Sequence, residues 1–181
     1  MNKLLQTAVI GTNLQDIHPD LPSGIVDVQE GFLRSVPIPG ALDCFISGRF
    51  DIVSKLDDGT YSVIDFKITS PDAEQIKKFS SQLHAYKFAL ENPAEGAPIK
   101  ISQMGLISVT PESVDYKDGR MIFTADPKWH PIDEDMDSFF GLIKEISGVL
   151  NGELPKESET CTLCIYRKKF EPQLVTSDIP F

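Results

Sequence analysis

The sequence predicts a mixed α/β (α+β) fold, in which a central sheet of four or five mixed strands is flanked by helices. Strand-like runs dominate the stretch before residue 70, a long amphipathic helix follows them, and two further strands precede a second long helix. Elements in this order form layers around one sheet. At 181 residues the chain is expected to be a single domain, 1–181, with a core at about 30–152 and a cysteine-containing tail at 153–181.

The first half of the chain predicts short elements and then a hairpin. Residue pairs that interrupt helices and strands, such as His18-Pro19, limit regular structure in the first thirty residues. Residues 1–11 are expected to form a first helix or strand. A short strand is expected at 32–36. Runs rich in Phe, Ile and Val at 43–56 and 61–68 flank Asp57-Asp58-Gly59. Two such runs around an Asp-Gly turn indicate a β-hairpin.

Two long helices and two further strands complete the prediction. The first helix starts at Pro71-Asp72 and ends at Asn92-Pro93, with apolar residues spaced by three or four. Two strands, 101–109 and 121–125, are expected to be joined by a polar loop. The second helix covers 133–150 and is stopped by Asn151-Gly152.

Composition excludes several classes of protein. Hydrophobic residues make up 41% and charged residues 24%, which is typical of a globular chain and not of a disordered one. No apolar run approaches the roughly 18 residues that span a bilayer, so no membrane association is expected. The three cysteines, an odd number without disulfide-scaffold density, favour a reducing compartment and a cytoplasmic location: Cys44, Cys161 and Cys164.

The charge taken alone argues against nucleic-acid binding. The chain has 17 basic and 27 acidic residues, for a net charge of -10. Positive charge is nevertheless expected locally near the first long helix and in the tail: Lys67, Lys77, Lys78 and Lys87, then Arg167, Lys168 and Lys169. The net acidity predicts weak non-specific affinity for DNA, and therefore a protein partner or a larger complex that delivers it.

The hairpin carries the residues most indicative of chemistry. Asp65 and Lys67 lie two apart on a strand that is otherwise apolar, and so share a face. If the turn is the three-residue loop 57–59, Asp51 lies directly opposite Asp65, with Cβ atoms about 4.5–5.5 Å apart. A two-residue turn would instead place Asp51 opposite Phe66. The first register brings two carboxylates together.

Two carboxylates this close repel each other unless a cation lies between them. Oxygen ligands without a nearby histidine or cysteine favour a hard ion, Mg²⁺ or Mn²⁺, over zinc. One step along the strand, the Lys67 ammonium could hold a water molecule or stabilise charge on a phosphoryl oxygen. This combination suits the hydrolysis of a phosphodiester.

Three segments together resemble a known family: Gly48-Arg49-Phe50-Asp51, Val63-Ile64-Asp65-Phe66-Lys67 and Gln82-Leu83-His84-Ala85-Tyr86. In this order they resemble the RecB-type exonuclease branch of the PD-(D/E)XK nuclease superfamily, to which CRISPR spacer-acquisition exonucleases are related. The resemblance covers Glu30 to about Lys169. It implies a restriction-endonuclease-like core and a Mg²⁺- or Mn²⁺-dependent DNA nuclease, exonuclease-like, that acts in DNA repair, recombination or mobile-element defence.

The resemblance also implies a role for each residue. Asp51 and Asp65 would ligate the metal together with the backbone carbonyl of Phe66, and Lys67 would be the catalytic lysine. Gln82 and Tyr86, one helical turn apart, would contact the DNA strand or support the lysine. Many members also carry a histidine on a helix before the first acidic motif, and His18 is the candidate for it here. Glu30 is instead a candidate for an acidic group contributed by an early element.

The tail departs from the same branch. Related nucleases bind an iron–sulfur cluster through Cys-x-x-Cys-x-x-Arg, a further cysteine and one distant upstream cysteine. Cys161, Cys164 and Arg167 match, but Phe170 occupies the last cysteine position. Four thiolates are required and only three cysteines exist, so no intact cluster is expected. The pair is read as a cluster remnant or as packed thiols in preference to a zinc half-site.

Other readings remain open from the sequence. Asp51 and Asp65 could form structural ion pairs with Arg49. The fold could also serve as a catalytically inactive DNA-binding or assembly module, a reading motivated by the missing cysteine and the acidic charge. His84, two residues from Gln82, is expected to be solvated.

Overall fold

The computed structural model describes residues 2–41, 43–153, 156 and 158–174. They divide into two compact units, 1–144 and 145–181, which are described separately. The predicted site residues lie in the first unit, as does the predicted core up to residue 144. None of the described helices is long and apolar enough to cross a membrane.

A five-stranded mixed sheet is the centre of the first unit, which confirms the predicted fold class. The strand order is β1-β4-β5-β6-β7, and only β5 and β6 pair in parallel. A separate pair is formed by β2 and β3. The strands are β1 (Ile25–Gln29), β2 (Phe32–Arg34), β3 (Ser47–Arg49), β4 (Ile52–Lys55), β5 (Tyr61–Lys67), β6 (Ile101–Lys117) and β7 (Arg120–Pro131). The helices are α1 (Asn2–Val9), α2 (Leu14–Ile17), α3 (Ala73–Glu91), α4 (Met136–Asn151) and, in the second unit, α5 (Thr162–Leu174).

The turn between β4 and β5 has the three-residue form. The Leu56 N–H donates to the Thr60 carbonyl at 2.9 Å, and Gly59 adopts φ +82°. A residue in this left-handed region is what such a loop requires, and glycine adopts it without strain. Val53 consequently pairs with Val63 and Ile52 with Ile64. The alternative two-residue turn is excluded.

The two faces of the sheet are covered by different helices. On one face, Val53 and Val63 pack with Leu83 and Tyr86 of α3. On the other face, Ile52 and Ile64 pack with Leu14, Val9 and neighbouring apolar residues of the amino-terminal helices. Because α3 connects the parallel strands β5 and β6, it returns across the sheet and places its buried stripe above β5.

The hairpin of β6 and β7 differs from the prediction of two short strands joined by a polar loop. The strands are joined directly by Asp118-Gly119, whose φ values of +52° and +72° fit a type I′ turn. The outer parts of both strands are exposed, and the outer part of β6, residues 110–117, is mostly polar. An exposed two-stranded arm has no buried face to mark it in the sequence, so its polar residues resembled a loop.

Three further sequence predictions are corrected. The expected strand over 43–56 is divided into β3 and β4, because the chain pairs first with β2 and then with β1. Residues 25–29, for which no strand was expected, form β1. The tail is not only an irregular segment, since α5 lies within it.

His84 is 2% exposed, so the expectation that it is solvated is wrong. Its Nε2 accepts a hydrogen bond from the backbone N–H of Asp135 at 2.8 Å, and its Nδ1 lies 2.8 Å from the Ser80 carbonyl. Its ring stacks on Phe139 with centroids 6.3 Å apart. His84 therefore ties α3 to the start of α4, and its burial follows from the position of α4, which no local pattern revealed.

Lys87 is also buried and does not supply positive charge for DNA. Its Nζ lies 2.8 Å from Glu91 Oε1 and 3.2 Å from Glu134 Oε2, and it donates to the Ile101 carbonyl at 2.6 Å. The side chain is 7% exposed. The expectation that Lys87 contributes to a positive surface is therefore wrong, and its role is structural.

Replacement of Lys87 by methionine is expected to lower the free energy of unfolding by about 2–3 kcal/mol, because the Ile101 carbonyl and the Glu91 carboxylate lose a buried partner. Urea denaturation measures this loss. The matched control is Lys78→Met, which removes an exposed ion pair with Glu74 and should cost less than about 1 kcal/mol. Equal losses in the two variants would contradict the structural role of Lys87.

Candidate active site

Asp51 and Asp65 lie opposite each other at the open end of the β4–β5 hairpin. The last pair of the ladder is Ile52 with Ile64, and Asp51 immediately precedes β4. The Phe66 N–H donates to Asp51 Oδ2 at 2.8 Å across the strands. This bond fixes the Asp51 carboxylate beside β5, as the three-residue turn predicts.

Asp65 is a buried carboxylate, 3% exposed. Gln82 Nε2 donates to its Oδ1 at 3.2 Å. Its Oδ2 contacts Lys67 Nζ at 2.5 Å as an ion pair and, within the described part of the chain, receives no hydrogen bond of normal geometry. Burial raises the pKa of Asp65, Lys67 opposes that rise, and the nearby Asp51 charge adds to it.

Lys67 contacts both a carboxylate and an aromatic ring. Its Nζ forms an ion pair with Asp65 and lies 4.2 Å from the ring centroid of Phe79. The face of an aromatic ring attracts a cation, so Phe79 restricts where the ammonium can lie. Sequence reasoning missed Phe79 as a site residue because its place in the apolar stripe of α3 indicated only packing.

Gln82 and Tyr86 enter the site from α3. That helix starts with a capping box, in which Asp72 accepts from the Gln75 N–H and the Gln75 side chain accepts from the Asp72 N–H. Gln82 Nε2 contacts both Asp65 and the Tyr86 hydroxyl. Burial raises the pKa of Tyr86, so the phenol is neutral at ordinary pH. Gln82 therefore links the helix to the carboxylate.

The oxygen atoms at this end of the hairpin fit a hard divalent cation. In an extended strand the N–H and C=O of one residue point to the same edge, so the Phe66 carbonyl faces the same side as the N–H that binds Asp51. Two carboxylates and a carbonyl are a suitable protein ligand set for Mg²⁺, which keeps several waters. Among the described residues no cluster of three or more His, Cys, Asp or Glu side chains has metal-binding geometry. Water would complete the coordination shell.

The sequence pattern of the PD-(D/E)XK nuclease superfamily matches residues 7–168, a range that includes all of these site residues. The chain belongs to the PD-(D/E)XK nuclease superfamily. This superfamily consists generally of phosphodiester hydrolases that act on nucleic acids and typically use Mg²⁺ or Mn²⁺.

A solved structure that matches this chain is remote in sequence. The chain is similar to the solved structure titled "Crystal structure of SSO0001", with 17% identity and a TM-score of 0.46. That alignment covers 91% of this chain and 66% of the other chain, slightly less than two thirds of its length. No curated protein matches the sequence.

The structure also places the secondary candidates in this PD-(D/E)XK chain. His18 ends α2, and its Nε2 lies 3.2 Å from Asp126 Oδ1, so it is engaged with β7. The Glu30 backbone N–H donates to the Asp51 carbonyl at 2.8 Å, while its side chain pairs with Lys3 at 3.6 Å. Asp65 is ion-paired with Lys67, whereas the sequence had suggested Arg49 as a structural partner.

Cys44 lies in the first unit of the PD-(D/E)XK chain, and Cys161 and Cys164 lie in the second unit. In the second unit, the Cys164 N–H donates to Cys161 Sγ at 3.5 Å at the start of α5. Residue 170 is the position where a further cysteine ligand would be needed, and it is phenylalanine. The absence of an intact iron–sulfur cluster stays a prediction from the cysteine count.

Proposed function

We propose that the protein is a Mg²⁺- or Mn²⁺-dependent deoxyribonuclease of exonuclease type that belongs to the RecB-like branch of its superfamily. The observation that carries this proposal is the pairing of Asp51 with Asp65 beside the Lys67 ammonium. The Phe66 N–H, 2.8 Å from Asp51 Oδ2, fixes this carboxylate beside Asp65. Burial and the Asp51 charge raise the pKa of Asp65, and a divalent cation bound by both carboxylates would relieve the repulsion between them.

The Asp51 and Asp65 carboxylates and the Phe66 carbonyl would hold the metal. When bound, such an ion neutralises phosphate charge and lowers the pKa of a coordinated water. Lys67 would orient the attacking water and stabilise the negative charge that develops on the phosphoryl oxygens. Its ammonium is positioned for this by Phe79, whose ring centroid lies 4.2 Å from Nζ.

Gln82 and Tyr86 would act on the DNA side of the site. Gln82 keeps Asp65 Oδ1 in place through a hydrogen bond of 3.2 Å, which orients the carboxylate without adding charge. The neutral Tyr86 hydroxyl lies beside it and could contact a phosphate oxygen without electrostatic repulsion. The net charge of -10 supports a requirement for a protein partner that brings DNA to the site, as in a repair, recombination or mobile-element defence complex.

The proposal is tested with end-labelled single-stranded and double-stranded DNA and the purified chain. Cleavage is expected with Mn²⁺ or Mg²⁺ and is expected to stop when a chelator is added. Stepwise shortening from one end indicates an exonuclease, whereas internal fragments indicate an endonuclease. If neither DNA is cleaved while Mn²⁺ still binds, an inactive DNA-binding module replaces the enzyme as the better account.

A further inference from the structure

β7 is an outer strand of the five-stranded sheet, and within the described residues no strand pairs with its far side. An exposed edge offers backbone N–H and C=O groups that can pair with another strand, so proteins usually blunt such edges. Pro127 and Pro131 blunt the half of β7 near the core, because proline has no N–H. Residues 120–126 contain no proline, and we call them the open edge.

The turn determines which residues of the open edge direct their N–H and C=O groups away from β6. The two residues that flank Asp118-Gly119 form a hydrogen-bonded pair, and bonded and non-bonded pairs then alternate. Ile122 therefore bonds to β6, whereas Phe123 directs its N–H and C=O away from β6. By the same alternation Pro127 directs its backbone groups away from β6. Its lack of an N–H therefore costs no hydrogen bond to β6. The outward backbone groups of the open edge belong to Met121, Phe123 and Ala125.

The open edge is complementary to itself in antiparallel orientation. When Phe123 lies opposite Phe123 of a second copy, Arg120 lies opposite Asp126, and the two-fold symmetry repeats this opposite-charge pair at the other end. In this register each residue whose backbone groups point away from β6 faces another such residue in the second copy. Three pairs can therefore each exchange two backbone hydrogen bonds, about six in total. The remaining pairs are Met121 with Ala125 and Ile122 with Thr124.

The side chains on this arm are apolar and exposed on one face. Val114 pairs with Phe123 and Tyr116 with Met121, so all four share that face, with exposed fractions between 44% and 78%. An apolar surface of this kind marks an interaction site. In the antiparallel register the Phe123 rings of two copies become neighbours across the new strand pair, which covers part of this surface.

Asp126 is accessible for the proposed pair. One of its oxygens lies 3.2 Å from His18 Nε2, and its side chain remains 49% exposed. Arg120 lies at the tip of the arm and is exposed. Opposite charges directly across a strand pair stabilise it, and like charges destabilise it. The charges at the two ends of the open edge therefore specify the antiparallel register.

We propose that the protein forms a symmetric dimer with a second copy of itself by antiparallel pairing of residues 120–126, centred on Phe123. This inference does not depend on the proposed nuclease function, because none of the site residues lies on β7. The pairing ends where Pro127 removes a donor. The dimer joins two five-stranded sheets through their arms.

Charge reversal tests this dimer by sedimentation equilibrium of the full chain. The wild type is expected to dimerise. Arg120→Asp and Asp126→Arg should each weaken self-association about tenfold or more, because each places two like-charged pairs across the interface. An equimolar mixture of the two variants should associate like the wild type, since every Asp then faces an Arg. A monomeric wild type, or a mixture no stronger than either variant alone, would overturn the proposal.

Two further variants separate edge pairing from general arm effects. Phe123→Pro removes an outward N–H without removing a bond to β6 and should abolish the dimer while leaving the circular dichroism spectrum unchanged. Asp115→Arg makes the same charge change on β6, away from the open edge, and should leave association unchanged. Dissociation by Asp115→Arg equal to that by Asp126→Arg would also overturn the proposal.

Discussion

Lys67→Ala is expected to reduce DNA cleavage by about 10²–10³-fold, because the variant loses the cation proposed to stabilise charge on the reacting phosphate. The protein should still unfold cooperatively. Asp65 loses its ammonium partner but keeps the Gln82 hydrogen bond, so the free energy of unfolding should fall by about 1–3 kcal/mol. Single-turnover cleavage with saturating Mn²⁺, together with urea denaturation, separates the two effects.

Lys78→Ala is the matched control for this prediction. Lys78 lies on α3, its side chain is 70% exposed, and its ion pair with Glu74 is on the surface. The control should therefore change both cleavage and stability little. Cleavage by Lys67→Ala at the wild-type rate would show that the lysine has only a structural role.

The second large effect concerns metal-linked stability. At a Mn²⁺ concentration about 100 times the dissociation constant, the wild type should gain about 2.7 kcal/mol in the free energy of unfolding. Asp51→Asn and Asp65→Asn should each lose most of this gain, because each removes a charged ligand. Thermal unfolding with and without Mn²⁺, in the absence of DNA, measures the difference. Asp57→Asn, at the turn of the same hairpin, should retain the full gain.

The same experiment has a defined pH dependence. Since the folded-state pKa of Asp65 is raised by burial, the folded metal-free protein binds a proton more readily than the unfolded chain. Its stability should therefore fall as the pH rises from the ordinary aspartate pKa through the raised one. Metal binding requires the carboxylate, so the stabilisation by Mn²⁺ should grow over the same interval. A metal effect independent of pH would argue against Asp65 as a ligand.

The hairpin shows how much of the site could be predicted from sequence. Side-chain alternation placed Asp65 and Lys67 on one face, and the choice of a three-residue turn placed Asp51 opposite Asp65, as observed. Helical spacing placed Gln82 and Tyr86 together. These relations are local or depend on one turn, so few alternatives compete with them.

Features that depend on distant packing could not be predicted in this way. His84 is buried because the start of α4 covers it, and the Asp135 backbone that it binds is 51 residues away. Lys87 is buried because Glu134 and the Ile101 carbonyl surround it. Phe79 became a neighbour of Lys67 only through the position of α3 on the sheet. The long β6–β7 arm has no buried face, so no periodic pattern marks it.

The most direct test of the metal site is a crystal structure grown with Mn²⁺, in which anomalous diffraction locates the ion. The account predicts an anomalous peak bound by the carboxylates of Asp51 and Asp65 and the carbonyl of Phe66, at distances of about 2.0–2.3 Å. An anomalous peak elsewhere, or none between the two carboxylates at a Mn²⁺ concentration that supports DNA cleavage, would contradict it.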